Sequence, residues 1–236
     1  MSLKAQVDTI YVYGPGGPYP AMAEAAQMFS EQEHVYVKVI RGPFGQWKSA
    51  AQQNADLIYS GAEFMMTHFI QELPNIDSET VKPLYLRKSG LLVRPGNPKQ
   101  IHSIKDLQKK GVNLMVVNGA GLTGVWESMI GQARDIDQLK KLRENIVYFA
   151  ANSRMAKAQW QNQQDIDVWL TWNIWQVANA ELAEFVELDD RYTIYRDCGI
   201  ALTNNAKSGV LVEAFYDFLQ SEEVKPIFKR WGWLVD

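Results

Sequence analysis

Short apolar runs that end in small or polar turn residues and then pass into helix recur along the chain. This alternation restricts the fold more than any other feature. Thr9 to Tyr13 runs into Gly14-Pro15-Gly16-Gly17-Pro18, and the stretch beyond places Met22, Ala25, Ala26 and Phe29 at helical spacing. Val35 to Arg41 is rich in β-branched residues and stops at Gly42-Pro43-Phe44-Gly45; Ala55 to Tyr59 stops at Ser60-Gly61, and Ala62 to Glu72 reads as helix. After an extended run from Tyr85 to Val93, the segment Arg94-Pro95-Gly96-Asn97-Pro98 forbids a central strand or helix interior. The pattern then resumes with Val112–Val117, Asn145–Ala151 and Ile166–Leu170, and the tail from Val210 reads as two helices. Strands alternating with helices imply mostly parallel sheets covered on both faces, an α/β fold. Two such sets are expected, joined by extended segments near 88–95 and 196–202.

Composition removes several function classes. The 236 residues carry 24 Lys and Arg against 27 Asp and Glu, so no basic excess is available for a nucleic-acid duplex. An apolar fraction of 47% excludes disorder, and the single cysteine, Cys198, excludes both a disulfide framework and a multi-cysteine zinc site. His34, His68 and His102 are scattered, so no metal or other cofactor is expected. No apolar stretch is long enough to insert in a membrane. Met1-Ser2-Leu3 reads as a leader on a trimmed mature start.

The chemistry belongs to the loops. The expected strands end in Gly14–Gly17, Gly42–Gly45, Ser60-Gly61, Asn118–Gly124, Asn152-Ser153 and Thr171-Trp172. In open α/β sheets ligands bind beyond the carboxyl ends of strands, and the helix starts there favour anions. Trp172 falls where a strand passes into a helix, and its indole is a donor that cannot accept, which suits an anion or, equally, a packing role. Gly119-Ala120-Gly121-Leu122-Thr123-Gly124 matches G-x-G-x-x-G after a strand, which leaves open an NAD(P)-dependent oxidoreductase. The acidic residue such a site requires is missing from the end of the next strand, Asn152-Ser153-Arg154. No nucleophile elbow, H-E-x-x-H or phosphate-loop motif occurs, so the chain is not expected to be an enzyme.

Several segments carry a family resemblance: Tyr13-Gly14-Pro15-Gly16-Gly17-Pro18, Asn54-Ala55-Asp56-Leu57-Ile58-Tyr59-Ser60-Gly61, Asn97-Pro98 followed by Asp106-Leu107, Val168-Trp169-Leu170-Thr171-Trp172, and Phe218-Leu219-Gln220-Ser221. The chain resembles the periplasmic solute-binding proteins of type II fold that serve ABC transporters, specifically the sulfate/molybdate type and its accessory colonization factor subgroup. The resemblance implies two lobes, 1–93 with 200–236 and 94–199, hinged near 91–95 and 197–201, with a small oxyanion such as sulfate or an organic sulfate held between them. It implies ligand contacts at Gly16, Gly17, Ser60, Gly61, Gly121, Leu122, Thr123, Ser153, Arg154 and Trp172. It also implies a periplasmic monomer whose partner is a transporter permease. The Pro/Gly-rich first loop departs from the sulfate pattern, and a small carboxylate remains an alternative ligand.

Overall fold

The computed structural model describes residues 9–206 and 209–235; the Met1-Ser2-Leu3 leader lies outside them. The chain divides into two compact units, Met1–Leu86 with Arg196–Asp236, and Arg87–Tyr195. The boundaries expected from sequence, 93/94 and 199/200, stand several residues later along the chain.

The first unit holds a sheet in the order β2 (Tyr36–Arg41), β1 (Thr9–Gly14), β3 (Leu57–Tyr59), β9 (Tyr195–Leu202), with the last strand antiparallel to β3 and the others parallel. Helix α1 (Tyr19–Glu33) turns Met22, Ala25, Ala26 and Phe29 inward, the helical stripe read from the sequence, and Ala21 with them. Phe29 meets Phe215 and Phe218 of α8 (Val210–Phe218) at ring separations of 5.0 and 5.4 Å. On the other face, Trp47 of α2 (Phe44–Asn54) and Met66 and Phe69 of α3 (Glu63–Glu72) pack with Tyr13 and Ile58. Successive strand residues therefore feed opposite cores, which is the signature of a sheet buried on both sides. Helix α9 (Lys225–Arg230) closes the unit: Tyr85 lies on Phe228 at 4.5 Å, and Trp233 packs beside it.

The second unit places β7 (Val168–Trp172) between β4 (Lys82–Val93), which is antiparallel to it, and β5 (Leu114–Val117), which is parallel; β6 (Ile146–Ala150) continues the parallel side. The short β8 (Glu184–Val186), which the sequence pattern does not reveal, pairs with β4. Helices α4 (Val125–Gly131), α5 (Ile136–Asn145), α6 (Ser153–Asn162) and α7 (Asn173–Val177) complete it. Trp169 joins Trp160 and Trp175 at 6.3 and 6.0 Å, so it is core, as the sequence suggests. Arg94 ties this core together. Its guanidinium donates to the carbonyls of Ile166, Trp160 and Gln163 and stacks 3.7 Å from the Trp160 ring centroid. The Asn97–Asp106 segment is closed the same way: Asn97 bonds both backbone groups of Ile101, and Asp106 accepts from the His102 N–H and the Ser103 hydroxyl.

Candidate functional site

In the first unit, register brings two of the expected loops together. Tyr13 of β1 stands opposite Ile58 of parallel β3, so the chain leaves both strands from the same sheet edge. Gly14 makes this approach possible: a Cβ there would lie 2.5 Å from both the Tyr59 ring and its carbonyl oxygen. Gly16 and Gly17 form the half-buried turn into α1, whose N-terminus has no side-chain cap. The backbone N–H groups of a first helical turn have no partner within the helix, so this end presents donors and a positive dipole. At the neighbouring loop Ser60 is fully buried. Its N–H donates to the Gly199 carbonyl at 2.8 Å, and its Oγ accepts from the Gly199 N–H at 3.3 Å. Gly61 is buried and leads into α3, again with no side-chain cap. Arg41, opposite Gly14 on β2, stacks 3.9 Å from the centroid of Tyr19. The rest of the Asn54–Gly61 motif is structural: Asn54 accepts from the Tyr13 hydroxyl at 2.7 Å and Asp56 from the Tyr11 N–H at 2.8 Å. Burial raises the Asp56 carboxyl above its ordinary range, an effect that the Tyr11 bond only partly offsets.

In the second unit the loops after β5, β6 and β7 leave one edge, because those strands are parallel neighbours. The Asn118 N–H donates to the Ala150 carbonyl at 2.8 Å, and a Cβ on Gly119 would sit 2.1 Å from the Ala151 oxygen. The first glycine of the G-x-G-x-x-G match thus has a packing role. Gly121 and Leu122 lie in one turn of 3-10 helix, with the Leu122 side chain buried in the core and Thr123 exposed; Gly124, at φ 70°, opens α4. Ser153 begins α6, but the Asn152 side chain already accepts from the Met155 N–H at 3.0 Å. Arg154 is exposed.

Trp172 is the most telling residue of this unit. It is 1% exposed, yet its indole N–H has no hydrogen-bond partner among the described residues, and neither has the hydroxyl of Thr171 beside it. Folded proteins pair nine-tenths or more of such buried groups; as consecutive residues of one strand the two point to opposite faces, and the Trp169 indole N–H of the same strand is likewise without a partner among the described residues. Arg87, 3% exposed, places its guanidinium 4.6 Å from the Trp172 ring centroid. The loop-by-loop reading of the sequence misses Arg87. The available signal is its phase: Tyr85, Arg87 and Ser89 alternate through an extended run, and all are buried.

The model of the bacterial extracellular solute-binding protein family matches residues 10–234. The chain belongs to that family. Among solved structures, this solute-binding protein is similar to L-phospholactate-bound PEB3, with 33% identity, 95% of this chain and 99% of that chain covered, and a TM-score of 0.89. Peb3 from Campylobacter jejuni matches at 32% identity with the same coverage and a TM-score of 0.87. The sulfate-binding protein SubI from Mycobacterium tuberculosis shares the fold at 17% identity, with 97% and 87% covered and a TM-score of 0.77. No curated protein sequence matches. Among the described residues, no helix is long and apolar enough to cross a membrane.

Proposed function

We propose that this solute-binding protein captures a small anion bearing a tetrahedral oxyanion group, sulfate-like or an organic ester, in the periplasm and passes it unchanged to an ABC transporter. The buried indole N–H of Trp172, with no hydrogen-bond partner among the described residues and an arginine stacked on its ring, carries the reading. A donor that cannot accept bonds an unprotonated oxygen of such a group, and a water-excluded setting strengthens that bond. The assigned contacts are the backbone of Gly16, Gly17, Gly61, Gly121 and Leu122, the hydroxyls of Ser60, Thr123 and Ser153, the Trp172 indole, and the side chains of Arg154 and Arg87. The relative bound to L-phospholactate supports an organic anion larger than sulfate, as does the departure of the first loop from the sulfate pattern. A phosphorylated carboxylate would join the tetrahedral and carboxylate alternatives in one molecule. Membership of the accessory colonization factor subgroup, a hinge at 91–95 and 197–201, and a monomeric state complete the proposal.

Titration with phospholactate, sulfate, molybdate and an organic sulfate, followed by tryptophan fluorescence and calorimetry, tests it. Binding of at least one oxyanion with a change in Trp172 emission is expected. No response to any of them overturns the reading.

A further inference from the structure

The Ser60–Gly61 turn has an acidic neighbour. Asp197, on β9 of the same unit, is 7% exposed, and its Oδ2 has no hydrogen-bond partner among the described residues. Gly199 brings the two together: a Cβ on it would lie 3.0 Å from Ser60 Oγ and 3.2 Å from Asp197 Oδ2, so both oxygens close in on the same side of that glycine. Glu63, the first residue of α3, adjoins Asp197, and its carboxyl is held above the ordinary range by burial and then by the Asp197 charge and hydrogen bond. An ionised carboxylate only accepts. Glu63 can share a proton with this carboxylate, but Oδ2 stays without a hydrogen-bond partner among the described residues, and a solute oxygen that carries no proton would meet it with repulsion.

We propose that Asp197 is a specificity-determining residue that accepts a hydrogen bond from the solute, so that the chain takes anions carrying an O–H group and rejects bare dianions such as sulfate. This rests on the assignment of the Ser60–Gly61 turn to the solute site. It narrows that assignment, because Ser60 can donate while Asp197 accepts, and a protonated oxyanion or a hydroxyl satisfies both. A site built around such a bond discriminates strongly against an analogue lacking it, because the buried partner is then left alone.

The test is displacement of phospholactate from the wild-type chain and from Asp197→Asn by two isosteric pairs, followed by calorimetry near pH 6. Inorganic phosphate against sulfate probes an acidic proton, and lactate against propionate probes an alcohol. In at least one pair the O–H member should bind wild type about tenfold tighter or more, and D197N should bring that pair within about threefold. Which pair responds identifies the source of the donor. Equal binding within both pairs, or a preference that D197N preserves, overturns the proposal while leaving the anion reading intact. Failure of phospholactate and of all four competitors to bind wild type overturns both. If D197N does not fold, the wild-type ratios decide alone.

Discussion

Trp172 and Asp106 show how differently two polar side chains at the ends of elements can act. The Trp172 indole N–H is buried with no partner among the described residues, so it carries a desolvation cost without a bond to the protein in return. Trp172→Phe keeps an aromatic ring and deletes the donor. It should weaken anion binding about tenfold, as one hydrogen bond to a charged partner is worth about 1.5–3 kcal/mol, and should lower the melting temperature only by what the smaller ring loses in packing beside Arg87. Calorimetry paired with thermal melting checks this, and an unchanged affinity would remove Trp172 from the site. Asp106 is the opposite case. The Lys109 ammonium at 2.6 Å, then the His102 N–H and the Ser103 hydroxyl, hold its carboxyl well below the ordinary carboxylate range. A depressed folded-state value means that the stabilisation is fully present above the ordinary pKa of about 3.9 and is lost as pH falls through the folded value. Asp106→Asn should therefore melt lower than wild type at neutral pH, with the gap closing as pH drops below about 4. A constant gap in a pH series of melting curves would contradict that.

At the scale of elements, Arg94 decides how β4 and α6 are joined. It satisfies carbonyls of Trp160 and Gln163 at the α6 C-terminus and of Ile166 beyond it, while burial pulls its pKa down from its usual value. The fork geometry matters here, because a lysine has neither the planar donors nor the stacking face. Arg94→Ala should cost about 2–4 kcal/mol, since two part-buried carbonyls and a third at the surface lose their donor and Trp160 loses its stacking partner, and Arg94→Lys should recover less than half of that. Urea denaturation of both variants measures it; full rescue by lysine would show that charge alone is what the position needs. This element was half legible in the sequence. The two prolines and the glycine of Arg94–Pro98 announced a rigid turn, but the carbonyls that Arg94 serves lie 66 to 72 residues away, and no local pattern points to them. The helical stripe of α1 was legible in full, because periodicity is local. The three-residue β8 was not, because its pairing with β4 is set by a partner far along the chain.

For the whole molecule, the chain order and the compact units do not coincide. The first unit is completed by the tail: β9 pairs with β3, and Phe215 and Phe218 cover Phe29. A fragment of residues 1–86 lacks that strand and those rings, whereas residues 87–195 carry their own sheet and tryptophan core. The 87–195 fragment should fold to a dispersed NMR spectrum, and 1–86 should not. A disordered 87–195 would show that its core is insufficient without the rest of the chain.

What the sequence determined by itself was whatever depends on near neighbours or on composition: the alternation of strand and helix, the small and polar loops at strand ends, the family segments, and the absence of a basic excess. What only the tertiary structure decided was which charges on neighbouring strands are buried beside those loops. Arg87 and Asp197 sit in extended runs where composition gives no reason to single them out, yet one stacks on Trp172 and the other adjoins the Ser60 turn. The physical reason is that burial is a property of the fold. A near-neutral total says nothing about which few charges lose their water, and those few act most strongly on a solute because the surrounding dielectric is low.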